Sequence, residues 1–441
     1  MTNFLSPSHG HTQGMDYLLD ISQRFIEKQK KSYLFRELNQ DLSTQTRVMR
    51  SDEEWLDYFQ TSSTKLAKQL LTITEIPQPL NLNTNDYLGL QRSGATYPFD
   101  QELATMLPVG GMSSRLIGGN HQIIKLLENT FANITGFNKC LYMPSGMTLN
   151  LGLPIFLHRL AQRGADGAPC DSHLAFFSDE LNHASIIEGL RLIPKPQKII
   201  FDHLDVLPLP RSHQWQLAQA SLVFLEGRYS MDGDYVARRD LIQLSRNPKT
   251  VLVMDEAHCF GVSPDQESIA SESLFKKHQL TNIIGVFPMG KAMACSGAFL
   301  AGPEALIHCA INLYKPFIYT TAPSPLTSGA LLLRLITQSQ LDPLKLKLKQ
   351  VSTLLGEQLM DAGFMVKGCG GPFLCVKIGC EQKCLQVNSH LRNQHIYTTA
   401  IRYPTVKPSE SCIRLSLHPY LTRQHINLIT KSLLDIFSTF L

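Results

Sequence analysis

Lys291 is the one charged side chain in residues 286–297, VFPMGKAMACSG, where its neighbours are apolar or small. A lysine desolvated by such neighbours holds its proton less tightly, and the free amine can act as a nucleophile or a base. An arbitrary lysine more often reaches into water, so the weight of Lys291 rests on its company. Short apolar runs along the chain end in Ser145, Asp179, His183, His203, Glu226, Asp255 and His258. An amine, carboxylates, imidazoles and a hydroxyl are the groups from which acid–base and covalent carbonyl chemistry is built.

Those residues meet only if the elements that carry them do. From about residue 139, CLYM precedes PSG, LAFF precedes SDELNHAS, KIIF precedes DHLD, LVFL precedes EGRYS, VLVM precedes DEAH and IIGVF precedes PMGK, with helix-like segments between them. Apolar runs of this length alternating with helices predict an α/β fold with a mostly parallel sheet covered on both faces. In such sheets ligands bind beyond the carboxyl ends of the strands. Residues 15–70 read as helices, with Leu18, Leu19, Phe25, Ile26, Trp55, Leu56 and Phe59 at helical spacing. After Ala330 a helix, a strand around 373–378, the helix CLQVNSHLRNQ, the strand-like YTTAIRYP, the strand IRLSLH and a last helix over 423–438 predict a smaller α+β domain. The expected organisation is a helical lead over 1–84, a large α/β domain over 85–328 and a small domain over 329–441.

Composition narrows the class. Of 441 residues 43% are hydrophobic and 18% charged, with a formal net charge of +4, which suits a globular chain of two or three lobes. No apolar run reaches the ~18 residues of a membrane helix, and MTNFLSPSHGHTQG lacks the order of a signal peptide. A cytoplasmic location is the expectation. Basic residues are dispersed, the densest patch being EKQKK at 27–31, which leaves no footprint for nucleic acid. The ten cysteines include no CxxC pair, and the gaps between Cys375, Cys380 and Cys384 are too wide for a zinc knuckle. Free thiols and no metal are expected.

MDEAH at 254–258 spells a helicase motif, and residues 285–291 spell GxxxxGK, so an ATPase must be weighed. Ala292 after the lysine has no hydroxyl for magnesium, the candidate loop follows the acidic strand when it should precede it, and no basic patch supports nucleic acid. A binding or scaffold protein is the non-enzymatic alternative. Pyridoxal phosphate accounts for the set better. It needs an amine for an imine, a carboxylate to keep the pyridine nitrogen protonated, a flat group to stack on the ring, and amides or hydroxyls for the phosphate. Lys291, Asp255 and His183 answer the first three needs, His258 can reach the phenolic oxygen, and the amides after Ser145 open a helix that favours an anion. Singly each signal is weak, because histidines are often structural and a strand-end Asp often caps a helix.

Ten segments in order resemble the α-oxoamine synthases, a family of fold-type I pyridoxal-phosphate enzymes: NDYLGL, SSRLIGGN, LLE, PSGMTLN, LNHASIIEGLRL, EGRYSMDGD, MDEAHCFG, GKAMACSGA, FIYTTAPSP and AIRYPTV, from Asn85 onwards. The resemblance implies a large pyridoxal-phosphate domain, a small C-terminal domain and a homodimer with shared active sites. It implies that Lys291 binds the cofactor and moves the substrate α-proton, that Asp255, His258 and His183 hold the ring, and that Ser145, Gly146, Met147 and Ser230 contact the cofactor. Thr320 and Thr321 would reach the phosphate in the neighbouring subunit. Arg414 and Asn85 would bind the amino acid, with His203 as a further substrate contact. The implied reaction joins an amino acid to an acyl thioester of coenzyme A or a carrier protein with loss of carbon dioxide. AIRYPTV and the lysine segment look most like the member that joins alanine to a pimeloyl thioester. Members using glycine or serine, or making α-amino ketone signals, are the rivals.

The chain departs from the family pattern at three places. Pro288 stands where a threonine is usual near the phosphate and offers neither hydroxyl nor amide hydrogen. Ile124 replaces a common histidine, and MACSG replaces a glycine-rich segment after the lysine. The helical lead exceeds that of most members by roughly 45 residues.

Overall fold

The computed structural model describes residues 12–32, 34–38, 51–73, 79–91, 97–162, 174–262 and 280–439. The start of the chain, residues 1–11, read above for leader character, lies outside the described residues. The chain begins with helices α1 (Gln13–Lys31) and α2 (Asp52–Leu71) and a short strand β1 (Leu80–Asn81). Thr12 caps α1 by accepting the N–H of Met15, and Ser51 with Glu54 forms a capping box on α2. Met15, Leu18, Ile21 and Phe25 bury one face of α1 in the same core as Leu222, Val251 and Leu306. The lead helix is therefore part of the main body, and no described helix is long and apolar enough to cross a membrane.

Among the described residues seven strands form the central sheet: β2 (Lys139–Met143), β3 (Leu174–Asp179), β4 (Lys198–Phe201), β5 (Ala220–Glu226), β6 (Thr250–Asp255), β7 (Ile283–Pro288) and β8 (Ala298–Gly302). Their order is β2-β8-β7-β6-β5-β3-β4, and every pairing is parallel except those made by β8. Every residue of β3, β5 and β6 is buried, as a sheet covered on both faces requires. All six expected strands are present. The strand that periodicity did not reveal is β8, AFLAG, because it follows the lysine loop without a helix and runs antiparallel.

Helices α3 (Gln122–Thr135), α4 (Gly146–Gln162) and α5 (Ala184–Arg191) flank the sheet. The C-terminal layer is a four-stranded antiparallel sheet, β12 (Thr399–Ile401), β13 (Ser411–Ser416), β10 (Phe373–Gly379) and β9 (Val366–Lys367). The expected strand YTTAIRYP divides in two, because β11 (Ile396–Tyr397) leaves this sheet to pair with β1. That pairing continues as Leu82 donates to the Tyr397 carbonyl and Ser416 donates to the Leu82 carbonyl, so the segment leading to Asn85 is held at the seam between the two sheets.

Candidate active site

Strand register brings the carboxyl ends together. Glu226 pairs with Asp255, Asp255 with Val286, and Ala298 with both Pro288 and Met143, so β2, β5, β6 and β7 end along one edge. Asp255 is buried there; its Oδ1 accepts the Ala257 N–H at 2.9 Å and its Oδ2 accepts Asn150 Nδ2 at 2.5 Å. Asn150, on α4, also donates to Ser185 Oγ at 3.0 Å, and Ser185 Oγ lies 2.7 Å from His183 Nδ1. His183 is the N-cap of α5. Its Nδ1 accepts the Ser185 N–H, and its own N–H donates to Glu226 Oε1 at 2.6 Å. Burial lowers the proton affinity of His183, with Asp255 opposing and Lys291 assisting, so its ring is a neutral flat face.

Lys291 stands in a compact loop. Met289 donates to Gly297, Cys295 to Met289 and Ala294 to Lys291, while Ala294 and Gly297 take left-handed φ values of 49° and 94°. A Cβ on Gly297 would lie 2.3 Å from the Tyr142 hydroxyl oxygen, so that position needs glycine. Lys291 lines a cleft of about 570 Å³ together with Asn81, Thr84, Asn85, Asp86 and Ser296. Burial lowers the Lys291 pKa below the lysine range, against the pull of Asp255 and Glu226. Burial, with Asp255 alongside, pushes Glu226 well above the carboxylate range, so this second acid keeps its proton.

A second group of contacts joins His258 to the C-terminal layer. Tyr87 Oη lies 2.7 Å from His258 Nδ1 and 3.1 Å from Asn85 Oδ1, and it accepts Arg414 Nη2 at 3.0 Å. Arg414 Nη1 donates to Asn85 Oδ1 at 2.9 Å, and its guanidinium carbon sits 4.0 Å from the centre of the Phe373 ring. Arg414 Nε is buried and has no partner among the described residues. Burial, then Lys291 and Arg414, hold His258 well below the imidazole range.

The other expected residues fall in four places. Ser145, Gly146 and Met147 open α4, with Ser145 Oγ 2.5 Å from Thr148 Oγ1. A Cβ on Gly146 would meet the Pro288 ring at 2.8 Å, so that proline closes on the first turn of α4 where a hydroxyl is usual in the family. Ser230 is buried in the turn that follows β5. Thr320 and Thr321 are not among the residues that line the Lys291 cleft, and Thr321 is exposed and bridges to Ser114. His203, expected as a further substrate contact, has both ring nitrogens on carboxylates, Asp179 at 2.8 Å and Asp234 at 3.2 Å. Tyr87, Asn150 and Phe373 were not singled out as site residues. Asn150 could have been found four residues into the helix that Gly146 opens, on the face toward the sheet; Phe373 carries no such signal.

A desolvated amine, a carboxylate and two neutral imidazoles beside a helix N-terminus, at the carboxyl edge of a parallel sheet, define a fold-type I pyridoxal-phosphate enzyme. The family model for aminotransferase class I and II matches residues 77–433. A putative 8-amino-7-oxononanoate synthase of Bacillus cereus (strain G9842) is 30% identical over 375 residues, covering 82% of this chain and 87% of that protein. The 8-amino-7-oxononanoate synthase of Nitrosospira multiformis is 32% identical over 336 residues, covering 76% and 81%. Among solved structures, serine palmitoyltransferase from S. paucimobilis with bound PLP–myriocin aldimine superposes with a TM-score of 0.72 at 18% identity, over 88% of this chain and 99% of that one. The 8-amino-7-oxononanoate synthase of Francisella tularensis gives 0.65 at 22%, over 82% and 99%. The chain belongs to the α-oxoamine synthase family, acyltransferases that use pyridoxal phosphate, within the class I and II aminotransferases.

Proposed function

We propose that this α-oxoamine synthase condenses L-alanine with a pimeloyl thioester, of coenzyme A or a carrier protein, to an α-amino ketone with release of carbon dioxide and thiol, as in biotin formation. The relatives at 30–32% identity support the substrates, since they carry the name of that synthase. The observation that carries the reading is the cleft lined by both Lys291, the proposed base, and Asn85, which is bonded to Arg414, the proposed carboxylate receptor. A homodimer suits the exposed strip beside Thr321, where Val109, Met112, Ile117 and Tyr319 are 69–77% exposed. We place the boundary of the small domain near residue 329 and count residues 80–82 with it.

Pyridoxal phosphate, when bound, supplies an aldehyde that captures amines and an electron-poor ring that stabilises negative charge on the adjacent carbon. Lys291 Nζ would anchor it. Asp255, braced by Asn150 and the Ala257 amide, would hold the proton on the ring nitrogen, and the His183 imidazole would lie on the ring face. His258 would meet the phenolic oxygen, and Ser145 with the first amides of α4 would take the phosphate, helped by the helix N-terminus. Gly146 and Met147 would take part in the same contact, Ser230 would be a further contact to the cofactor, and Thr320 and Thr321 would serve the partner's phosphate. Arg414 and Asn85 would clamp the amino-acid carboxylate. Lys291, once displaced, would take the substrate α-proton at Nζ and later return a proton to the same carbon. Its proton affinity, lowered by burial, suits that task.

Alanine, glycine and serine, each offered with acetyl, pimeloyl and palmitoyl thioesters, test this by released carbon dioxide and free thiol. Turnover confined to alanine with the pimeloyl donor is expected. Turnover confined to serine with the palmitoyl donor, or glycine with the acetyl donor, refutes the substrate reading.

A further inference from the structure

Carboxylates only accept hydrogen bonds, so a ring with a carboxylate at each nitrogen must donate from both. His203 is in that position: Nδ1 is 2.8 Å from Asp179 Oδ1 and Nε2 is 3.2 Å from Asp234 Oδ2, and the ring is an imidazolium. Its two partners belong to different loops. Asp179 ends β3, and its carboxylate also accepts the N–H groups of Leu181 at 2.9 Å and Leu204 at 2.8 Å, while its carbonyl accepts from Asn182. The next residue is His183. Asp234 ends the turn after β5, where its carbonyl accepts the Tyr229 N–H and the Tyr229 carbonyl accepts the Gly233 N–H; Ser230 lies within that turn. His203 itself follows β4, beside Leu204 in a left-handed conformation, and packs edge-on against the Tyr229 ring at 4.5 Å.

We propose that His203 is a positioning residue: its imidazolium straps together the loops after β3, β4 and β5 and so holds the His183 ring where the cofactor binds. This rests on the placement of His183 against the cofactor given above. The groups facing the ring are Asp179 at the end of β3, Asp234, Asp232 and the Tyr229 phenol in the turn after β5, with Lys367 of β9 on Asp232 at 2.9 Å. Burial opposes the charge on His203, but the bonds and charges of Asp179 and Asp234 outweigh it and raise the pKa to about 9. The folded pKa is raised, so the strap is fully formed below the ordinary imidazole pKa and is lost as pH rises through about 9.

The test compares the parent with His203→Gln and Asp234→Asn. In each, the cofactor dissociation constant and the visible circular dichroism of the bound cofactor are followed between about pH 6 and about pH 10. Thermal unfolding of the cofactor-free chains reports the fold. The parent should lose about tenfold in affinity across the upper end of that range, the worth of one charge-assisted bond. Glutamine donates to one carboxylate only, so His203→Gln should bind about tenfold more weakly than the parent at about pH 6 and equal it at about pH 10, without the step. An asparagine amide donates to a neutral imidazole, so Asp234→Asn should keep tight binding past the parent's step. His203→Gln with the parent's affinity and step overturns the proposal; so does a variant that loses thermal stability while its affinity per folded molecule is unchanged. In the cofactor-free chain both His203 ring N–H protons should be visible by nitrogen-edited NMR up to about pH 8. That signal is independent of the site reading, which fails separately if Lys291→Ala still forms a borohydride-trapped adduct. An absent second N–H overturns the strap alone.

Discussion

Arg414→Lys tests whether Arg414 receives the amino-acid carboxylate, as proposed, or supplies only a positive charge. The Arg414 guanidinium has five N–H bonds. Nη1 is directed at Asn85 Oδ1 (2.9 Å) and Ser416 Oγ (3.4 Å), and Nη2 gives one to Tyr87 Oη (3.0 Å). What remains is Nε–H, buried with no partner among the described residues, and one N–H of Nη2. These two lie on the same edge of the plane, the edge that meets a carboxylate with two parallel bonds. Lysine keeps the charge but not the fork, and it cannot stack flat on Phe373 as the guanidinium does at 4.0 Å. One charge-assisted hydrogen bond lost is worth about 1.5–3 kcal/mol, or about 10- to 150-fold. The carboxylate is held equally before and during proton removal, so the loss should fall on KM and leave kcat nearly unchanged. Titrating the absorbance of the bound cofactor with L-alanine and with ethylamine, which has no carboxylate, measures this directly. The parent should prefer alanine by the same factor, and the variant should lose most of that preference. Alanine binding within about threefold of the parent, or ethylamine weakened as much as alanine, would refute the assignment.

Three further outcomes follow from the same geometry. Lys291→Ala should abolish the adduct trapped by borohydride while leaving the thermal transition of the cofactor-free chain in place; a trapped adduct at another lysine would show the wrong amine has been chosen. Asn150→Ala removes the 2.5 Å bond to Asp255 Oδ2 and the link to Ser185, and should raise the cofactor dissociation constant about 10- to 100-fold, read by fluorescence titration. Glu128→Ala strips the buried Arg115 of two bonds, at 2.5 and 2.9 Å, and Tyr142 of an acceptor at 2.6 Å, and should destabilise the fold by about 3–5 kcal/mol in denaturant titration.

The parallel strands and the residues at their ends were legible because burial on both faces writes itself as unbroken apolar runs. Asp255, His183 and His258 sit beside such runs, and Lys291 stands out as a charge among small residues. What could not be read depends on contacts far apart in sequence. His203 looks like any polar residue after a strand until Asp179 and Asp234 close on it from two other loops. Strand β8 was hidden because AFLAG is short and small, and the loop before it turns through left-handed Ala294 and Gly297 with no helix to mark the change of direction. Tyr87 was quoted within NDYLGL, yet its partner His258 is 171 residues away.

Tyr87 shows why the seam between the two sheets matters to the site. Burial pushes its pKa up to about 12, so the phenol keeps its proton at neutral pH. Arg414 can only donate, so the oxygen accepts from Nη2 and the single O–H must go either to Asn85 Oδ1 at 3.1 Å or to His258 Nδ1 at 2.7 Å. His258 is held neutral, and the shorter contact favours the imidazole. Nδ1 is then the acceptor and Nε2 carries the proton, which makes His258 a donor on its remaining side. The tautomer of a histidine on the central sheet is therefore set by a tyrosine from the N-terminal segment and oriented by an arginine from the C-terminal layer. Phe373 of that layer packs against both, edge-on to His258 at 5.3 Å and under Arg414. These four side chains join the C-terminal layer and the N-terminal segment to the central sheet.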